Sequence, residues 1–170
     1  SDLDCTKIIF HTGYIPITGI KEYREKVIEK QINFWQDISD ENKGVIICLE
    51  NMFEKDSNFI HEIIDNCKKD NIKFCFDIAH CVVFSNEEPS TWINKMDGYL
   101  NHVHLSDCNG IHDEHMALGS GNIDFIDLTH KLQKINNDLT YVIEVSGEEK
   151  ARKSINYLNK NGLVQRKNTI

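Results

Sequence analysis

No run of apolar residues in this 170-residue chain approaches the roughly 18 that a membrane-spanning helix needs, and the opening SDLDCTK lacks the apolar core of a signal peptide. A soluble, cytoplasmic protein with no membrane partner is the expectation. The first residue is Ser1 rather than Met, which fits a trimmed or excised piece. Basic residues are scarce: 19 Lys and Arg stand against 27 Asp and Glu, a net charge of −8. A surface built to hold a polyanion normally carries a basic stripe, so this balance counts against nucleic acid as the partner and leaves room only for a local basic pocket. The six cysteines (Cys5, Cys48, Cys67, Cys75, Cys81, Cys108) show no paired zinc-finger spacing. They read as reduced thiols, with Cys48 and Cys75 inside strand-like runs where a thiol acts as a small apolar side chain. Linkers, low-complexity tracts and short repeats are missing too. Residues 1–170 are expected to form one domain around one core.

Five short apolar runs are present: KIIFH (7–11), VIICLE (45–50), KFCFD (73–77), LNHVHL (100–105) and YVIEV (141–145). They alternate with helical periodicity over 19–40, 56–70, 90–97, 123–136 and 149–161, and residues 163–170 read as a frayed tail. Thr18 and Gly19 precede the first helical stretch and Asp56 and Ser57 the second, as N-cap candidates. Strand then helix, repeated, predicts an α/β fold with parallel strands, either a doubly wound sheet or a (β/α)₈ barrel.

The strand ends favour the barrel. Side chains alternate along a strand, so Glu50 shares its face with Cys48 and Ile46. The same count puts His11, Asp77, His104 and Glu144 at the C-terminal ends of their strands, each after apolar residues. A barrel gathers such positions at one spot, whereas an open sheet would spread them over about 20 Å. Carboxylates with imidazoles and no thiolate suit Mn²⁺, Mg²⁺, Co²⁺, Zn²⁺ or Fe²⁺. Further candidates are His80, three residues past Asp77, and Asp113 and His115 in DEH. The loop LGSGNIDF (118–125) would let backbone approach a bound anion or other ligand.

HTG, CLEN, FDIAHC, HVHLSD, DEHMALGSGNIDF and VIEVSG, in that order, resemble the xylose isomerase-like (β/α)₈ superfamily, which holds sugar isomerases and epimerases and also endonuclease IV, a zinc enzyme of abasic DNA. The resemblance runs over nearly the whole chain. It implies that Glu50, Asp77, His104 and Glu144 hold one divalent metal, as in the isomerase branch, with His80 contacting substrate or supporting the ligands. In the endonuclease branch, His11, Glu50, Asp77, His80, His104, Asp113, His115 and Glu144 match ligands of a three-zinc cluster, of which one histidine has no counterpart here. The family barrel has eight strands, where five are found here, so the chain reads as the C-terminal two-thirds of a barrel of about 250 residues. Either the first strands are absent from the gene or from this piece of it, or a partner supplies them. Two open strand edges invite self-association, and the interior apolar face bearing Ile9, Ile46, Cys48 and Val142 is expected to lack a complete wall opposite it.

The resulting expectation is a metal-dependent isomerase or epimerase of a small sugar, sugar phosphate or polyol, with Glu50, Glu144 and His80 catalytic. The alternatives are an endonuclease IV-like zinc phosphodiesterase and a non-catalytic barrel remnant. An arginine soon after His104, carried by some ketose 3-epimerases, is missing. His102 is expected to fill the lower barrel interior, His61 and His130 to lie on helices, and Trp35 and Trp92 to belong to the core. His112 is given no role. Asp107 either orients a ligand or caps its loop, and Phe53 and Phe84 either wall a sugar pocket or pack the loops.

Overall fold

In the computed structural model, which describes residues 5–16, 20–135 and 139–163, five parallel strands form one sheet in the order β1-β2-β3-β4-β5. The strands are β1 (Lys7–His11), β2 (Ile46–Glu50), β3 (Ile72–Asp77), β4 (Leu100–Leu105) and β5 (Thr140–Ile143). Between and after them run α1 (Lys21–Glu41), α2 (Asn58–Cys67), α3 (Ile78–Phe84), α4 (Pro89–Met96), α5 (Phe125–Leu132) and α6 (Glu148–Lys160). A doubly wound sheet reverses its strand order at a switch point. Here the order never reverses, so right-handed crossovers put all the helices on one face.

Strand alternation then sorts the side chains. Ile47, Leu49, Phe74, Phe76, Val103 and Leu105 face the helices and join the apolar core, with Trp92 stacked on Phe74 and Phe76 and with Trp35 also buried. On α2, Phe59, Ile60, Ile63, Ile64 and Cys67 recur at helical spacing and bury one face. The opposite face of the sheet carries Cys48, Glu50, Cys75, Asp77, His102 and His104, all outside that core. Lys7 of β1 donates from Nζ to Asn101 O (3.0 Å) and Thr140 Oγ1 (2.6 Å), on β4 and β5. In a flat sheet, four spacings would separate β1 from β5 by roughly 19 Å. The sheet is therefore curled into a half-barrel whose concave face converges.

Local expectations meet different outcomes. Thr18, Gly19 and residues 164–170 lie outside the described residues. Ser57 is the N-cap of α2 but makes no side-chain cap bond; Asp56 Oδ1 accepts from the Asn58 amide instead (3.0 Å). α3 was not anticipated, because a short apolar helix shows no amphipathic period. β5 stops at Ile143, so Glu144 lies just beyond it, yet the Glu144 amide still donates to Leu105 O (2.9 Å) and keeps the strand's alignment. Val142 is 45% exposed, and Ile8 and Phe10 on β1 and Tyr141 on β5 are also exposed, as edge strands with no neighbour among the described residues would be.

Candidate metal centre

The parallel register sets His11 beside Glu50 and Asp77 beside His104 at the C-terminal ends of their strands. Curling brings them together with Glu144. His104 Nδ1 donates a 2.9 Å hydrogen bond to Glu50 Oε1, and Glu144 Oε2 lies 2.9 Å from that same nitrogen without hydrogen-bonding to it. Asp77 Oδ2 is 3.9 Å away. Donor atoms of Glu50, Asp77, His104 and Glu144 all lie within 4.8 Å of one another. His11 Nε2 joins from the other side, 3.3 Å from Glu50 Oε2.

The D-x-x-H spacing has a local cause. Asp77 is the N-cap of α3, and its Oδ1 accepts the His80 amide (2.7 Å). That anchors His80 in the first turn and leaves Asp77 Oδ2 buried without a hydrogen-bond partner. Asn51, which the sequence showed only as part of CLEN, holds the assembly from behind. Its Nδ2 donates to Asp77 O (2.8 Å), its Oδ1 accepts the Asp77 amide (2.9 Å), and its own carbonyl meets His80 Nδ1 at 2.9 Å. A carbonyl only accepts, so His80 Nδ1 carries a proton and Nε2 is the nitrogen presented to the site. His115 is held likewise, with Nδ1 2.8 Å from Glu144 O and a left-handed backbone (φ +46°).

Both Nε2 atoms, of His80 and His115, then point at Asp113 Oδ2 from 3.2 Å each. Neutral imidazoles would aim lone pairs at a carboxylate there, which calls for protons or a cation between them. Asp77 Oδ2, Asp113 Oδ1 and Glu144 Oε2 are all buried without hydrogen-bond partners. Two orphan oxygens in the four-donor group, and its hard oxygen and imidazole character, fit a divalent ion. His11, Glu50 and His80 make a second donor group, and His80, Asp113 and His115 a third, linked to the first through Glu50 and His80.

The charges respond to this crowding. Burial opposes protonation of His104, but its bond to Glu50 and the carboxylates of Glu50, Glu144 and Asp77 outweigh it and raise the pKa. His80 is raised against burial by Asp77, the Asn51 bond, Asp113 and Glu50. Burial raises Asp77, whereas the surrounding histidines outweigh burial and lower Glu50. Burial holds His102 down at about 4, and its Nδ1 meets Thr140 Oγ1 at 2.5 Å.

These directions set a pH dependence. Stability from raised histidines is fully present below their ordinary 6.5 and is lost as pH climbs through the raised values. Stability from the lowered Glu50 is present above 4.5 and is lost as pH falls through its lowered value. Metal-free protein is therefore expected to melt at progressively lower temperature as pH rises from about 6.5 to 8. A divalent ion replaces those protons, so its stabilisation should grow over the same window, reaching about 2.7 kcal/mol at roughly 100 times Kd. Parallel melting curves with and without Mn²⁺ would count against metal binding here.

The remaining expected residues fall as follows. Asp107 is completely buried and accepts from the amides of Cys108, Gly119, Gly121 and Ile123 at 2.8–3.2 Å. The amides of Gly119 and Gly121 are thus taken by Asp107 Oδ2 and are not free to hold a bound anion. Gly121 is required there, since a Cβ would stand 2.3 Å from Cys108 O. Phe53 and Phe84 pack edge to face, 5.0 Å apart. His61 and His130 lie on α2 and α5, and the His112 amide donates to Asn109 Oδ1 (3.1 Å). Not foreseen was buried Glu54, which accepts from the Thr12 hydroxyl and the Met52 amide behind His11, and whose pKa burial raises. A groove of about 480 Å³, lined by His115, Val142, Glu144 and Ser146 among others, opens beside the cluster.

Known proteins resemble this chain in sequence or in fold. An uncharacterised protein of Methanocaldococcus jannaschii is 31% identical over 168 residues, covering 90% of this chain and 55% of its own. A D-tagatose 3-epimerase-like protein of known crystal structure superposes with a TM-score of 0.81 at 30% identity, covering 94% of this chain and 63% of that one. A Thermus thermophilus protein soaked with zinc chloride gives 0.72 at 23% identity, over 94% of this chain and 63% of its own. The chain thus spans between about half and two-thirds of the length of these relatives. The model of one family, the xylose isomerase-like TIM barrel, matches residues 1–161, nearly all of the curled sheet and its helices, and the chain belongs to that family.

Proposed function

We propose that this site serves a divalent-metal-dependent isomerase or epimerase of a small sugar, sugar phosphate or related polyol. The carrying observation is that Glu50, on β2, and Glu144, just past the end of β5, approach one histidine nitrogen, each at 2.9 Å. The D-tagatose 3-epimerase-like relative supports the same reaction class. Glu50, Asp77, His104 and Glu144 would hold the ion, with Mn²⁺, Co²⁺, Mg²⁺ and Zn²⁺ all suited to that donor set. Bound there, it would supply Lewis-acid polarisation of a carbonyl and its neighbouring hydroxyl. One glutamate would remove the proton from the hydroxyl-bearing carbon next to the carbonyl, and the other would return a proton to that carbon from the opposite side. The lowered pKa of Glu50 keeps it ionised at neutral pH, as a base must be. His80, with Nδ1 fixed on Asn51, presents Nε2 to a substrate oxygen.

A second reading, an endonuclease IV-like phosphodiesterase with several zinc ions, is favoured by one specific observation. The donor groups His11–Glu50–His80 and His80–Asp113–His115 adjoin the first and share residues with it. The net charge of −8 weighs against a duplex partner, whose affinity comes mainly from phosphate contacts.

Incubation with candidate ketoses and their phosphates in deuterated buffer with Mn²⁺ or Co²⁺ separates the two. Slow exchange of a carbon-bound proton, followed by NMR, is the expected result, together with no incision of abasic duplex in zinc or manganese. Efficient incision that disappears in His115→Ala would install the second reading in place of the first.

A further inference from the structure

Beneath the carboxylates, the concave face carries a second layer of different chemistry. Cys75 on β3 pairs in register with His102 on β4, and both are buried, at 0% and 5% exposure. The Cys75 sulfur, one ring nitrogen of His102 and one of His104 lie within 4.8 Å of one another. Thr140 Oγ1 occupies His102 Nδ1, while His102 Nε2 is buried without a hydrogen-bond partner. Buried thiols are usually plain apolar filler, as Cys67 and Cys81 are in the core behind the sheet. Cys75 differs in facing two imidazoles, one of them with an unused nitrogen.

We propose that Cys75, His102 and His104 form a site for one soft, thiophilic, monovalent cation of the copper(I) class, which shares only His104 with the carboxylate group. Sulfur and imidazole donors select soft ions, whereas the carboxylates above select hard ones. Charge selects the valence. On binding, the Cys75 S–H bond breaks, its proton leaves to solvent and a sulfur–metal bond forms, with no change of oxidation state. One thiolate and two neutral imidazoles then cancel a single positive charge. A divalent ion would leave a net charge in a buried layer where Lys7 already reaches the same Thr140 hydroxyl that contacts His102. His104 belongs to both groups, so an ion in the inner one competes for the imidazole that the outer one uses. The inference stands independently of the sugar chemistry.

The test is anaerobic titration of the chain with copper(I) against excess bicinchoninate, with X-ray absorption at the copper edge on the unmutated protein. One retained equivalent with one sulfur and two nitrogen neighbours is expected. Cys75→Ser and His102→Phe should each weaken retention at least tenfold, while Cys5→Ser and Cys48→Ser leave it unchanged. Failure to hold copper against the chelator, a two-sulfur shell, or undiminished retention in a folded Cys75→Ser variant would overturn the site. The absorption measurement needs no variant, so misfolding of a mutant does not shelter the proposal.

Discussion

Glu144→Gln and Glu50→Gln are each expected to lower turnover by about 10²- to 10⁴-fold, the usual cost of removing a positioned acid or base, and to weaken divalent-metal binding as well. Glutamine keeps the shape but offers neither a negative charge nor a proton acceptor of useful strength. The two variants should differ in stability. Glu50 is buried (4% exposed) and faces His11, His80 and His104, so Glu50→Gln removes the counter-charge for three histidines and should cost the metal-free fold about 1–3 kcal/mol. The side chain of Glu144 is 40% exposed at the end of an edge strand, and Glu144→Gln should melt close to the parent. Glu148→Gln serves as the control, because Glu148 begins α6 and pairs with Arg152 at the surface. Calorimetric metal titration, turnover and thermal melts of the three variants together check this. Normal turnover in either site variant would remove that residue from the chemistry.

Asp107→Ala is expected to cause the largest loss of stability. Its carboxylate is the acceptor for four backbone amides, those of Cys108, Gly119, Gly121 and Ile123, in a fully buried setting. Each buried amide left unpaired costs about 1–3 kcal/mol, so the sum is on the order of 5 kcal/mol. That is a large share of the roughly 5–15 kcal/mol that holds a domain together. At about 2–4 °C per kcal/mol for a chain of this size, the melting temperature should fall by about 10–20 °C. Gly121→Ala should act in the same direction, since its Cβ would press on Cys108 O and Asp107 Oδ1. The damage should extend to the candidate metal centre. Asp107 pairs with Met116 through reciprocal backbone bonds (3.0 and 2.8 Å), and the hairpin closed by that pair carries Asp113 and His115. A melting temperature within 2 °C of the parent for Asp107→Ala would refute the hub role.

Strand ends were the most legible part of the chain, because alternation along a strand is a local property. His11, Glu50, Asp77 and His104 could be assigned to one end and one face from their spacing alone, and they do end up there. Glu144 was read as lying within β5 and in fact follows it, since residues at an edge strand's end have a ladder partner on one side only. α3 was invisible for a related reason: seven residues with four buried leave no polar face to reveal a period. Asp107 showed two roles in sequence and takes the structural one. The amides it accepts lie as far as 16 residues away, and no local pattern announces such a bond.

What the sequence determined by itself was which histidines and carboxylates stand at one end of the sheet, through short apolar runs that each stop at such a residue. Only the tertiary structure decided which of these groups meet. Curling of the sheet, seen in the Lys7 side chain reaching β5, turns five separate strand ends into linked donor groups. It also aims His80 and His115 at one oxygen of Asp113 through carbonyls 29 residues distant from each ring. Such contacts depend on long-range register and curvature, which arise only when the whole sheet packs against its helices.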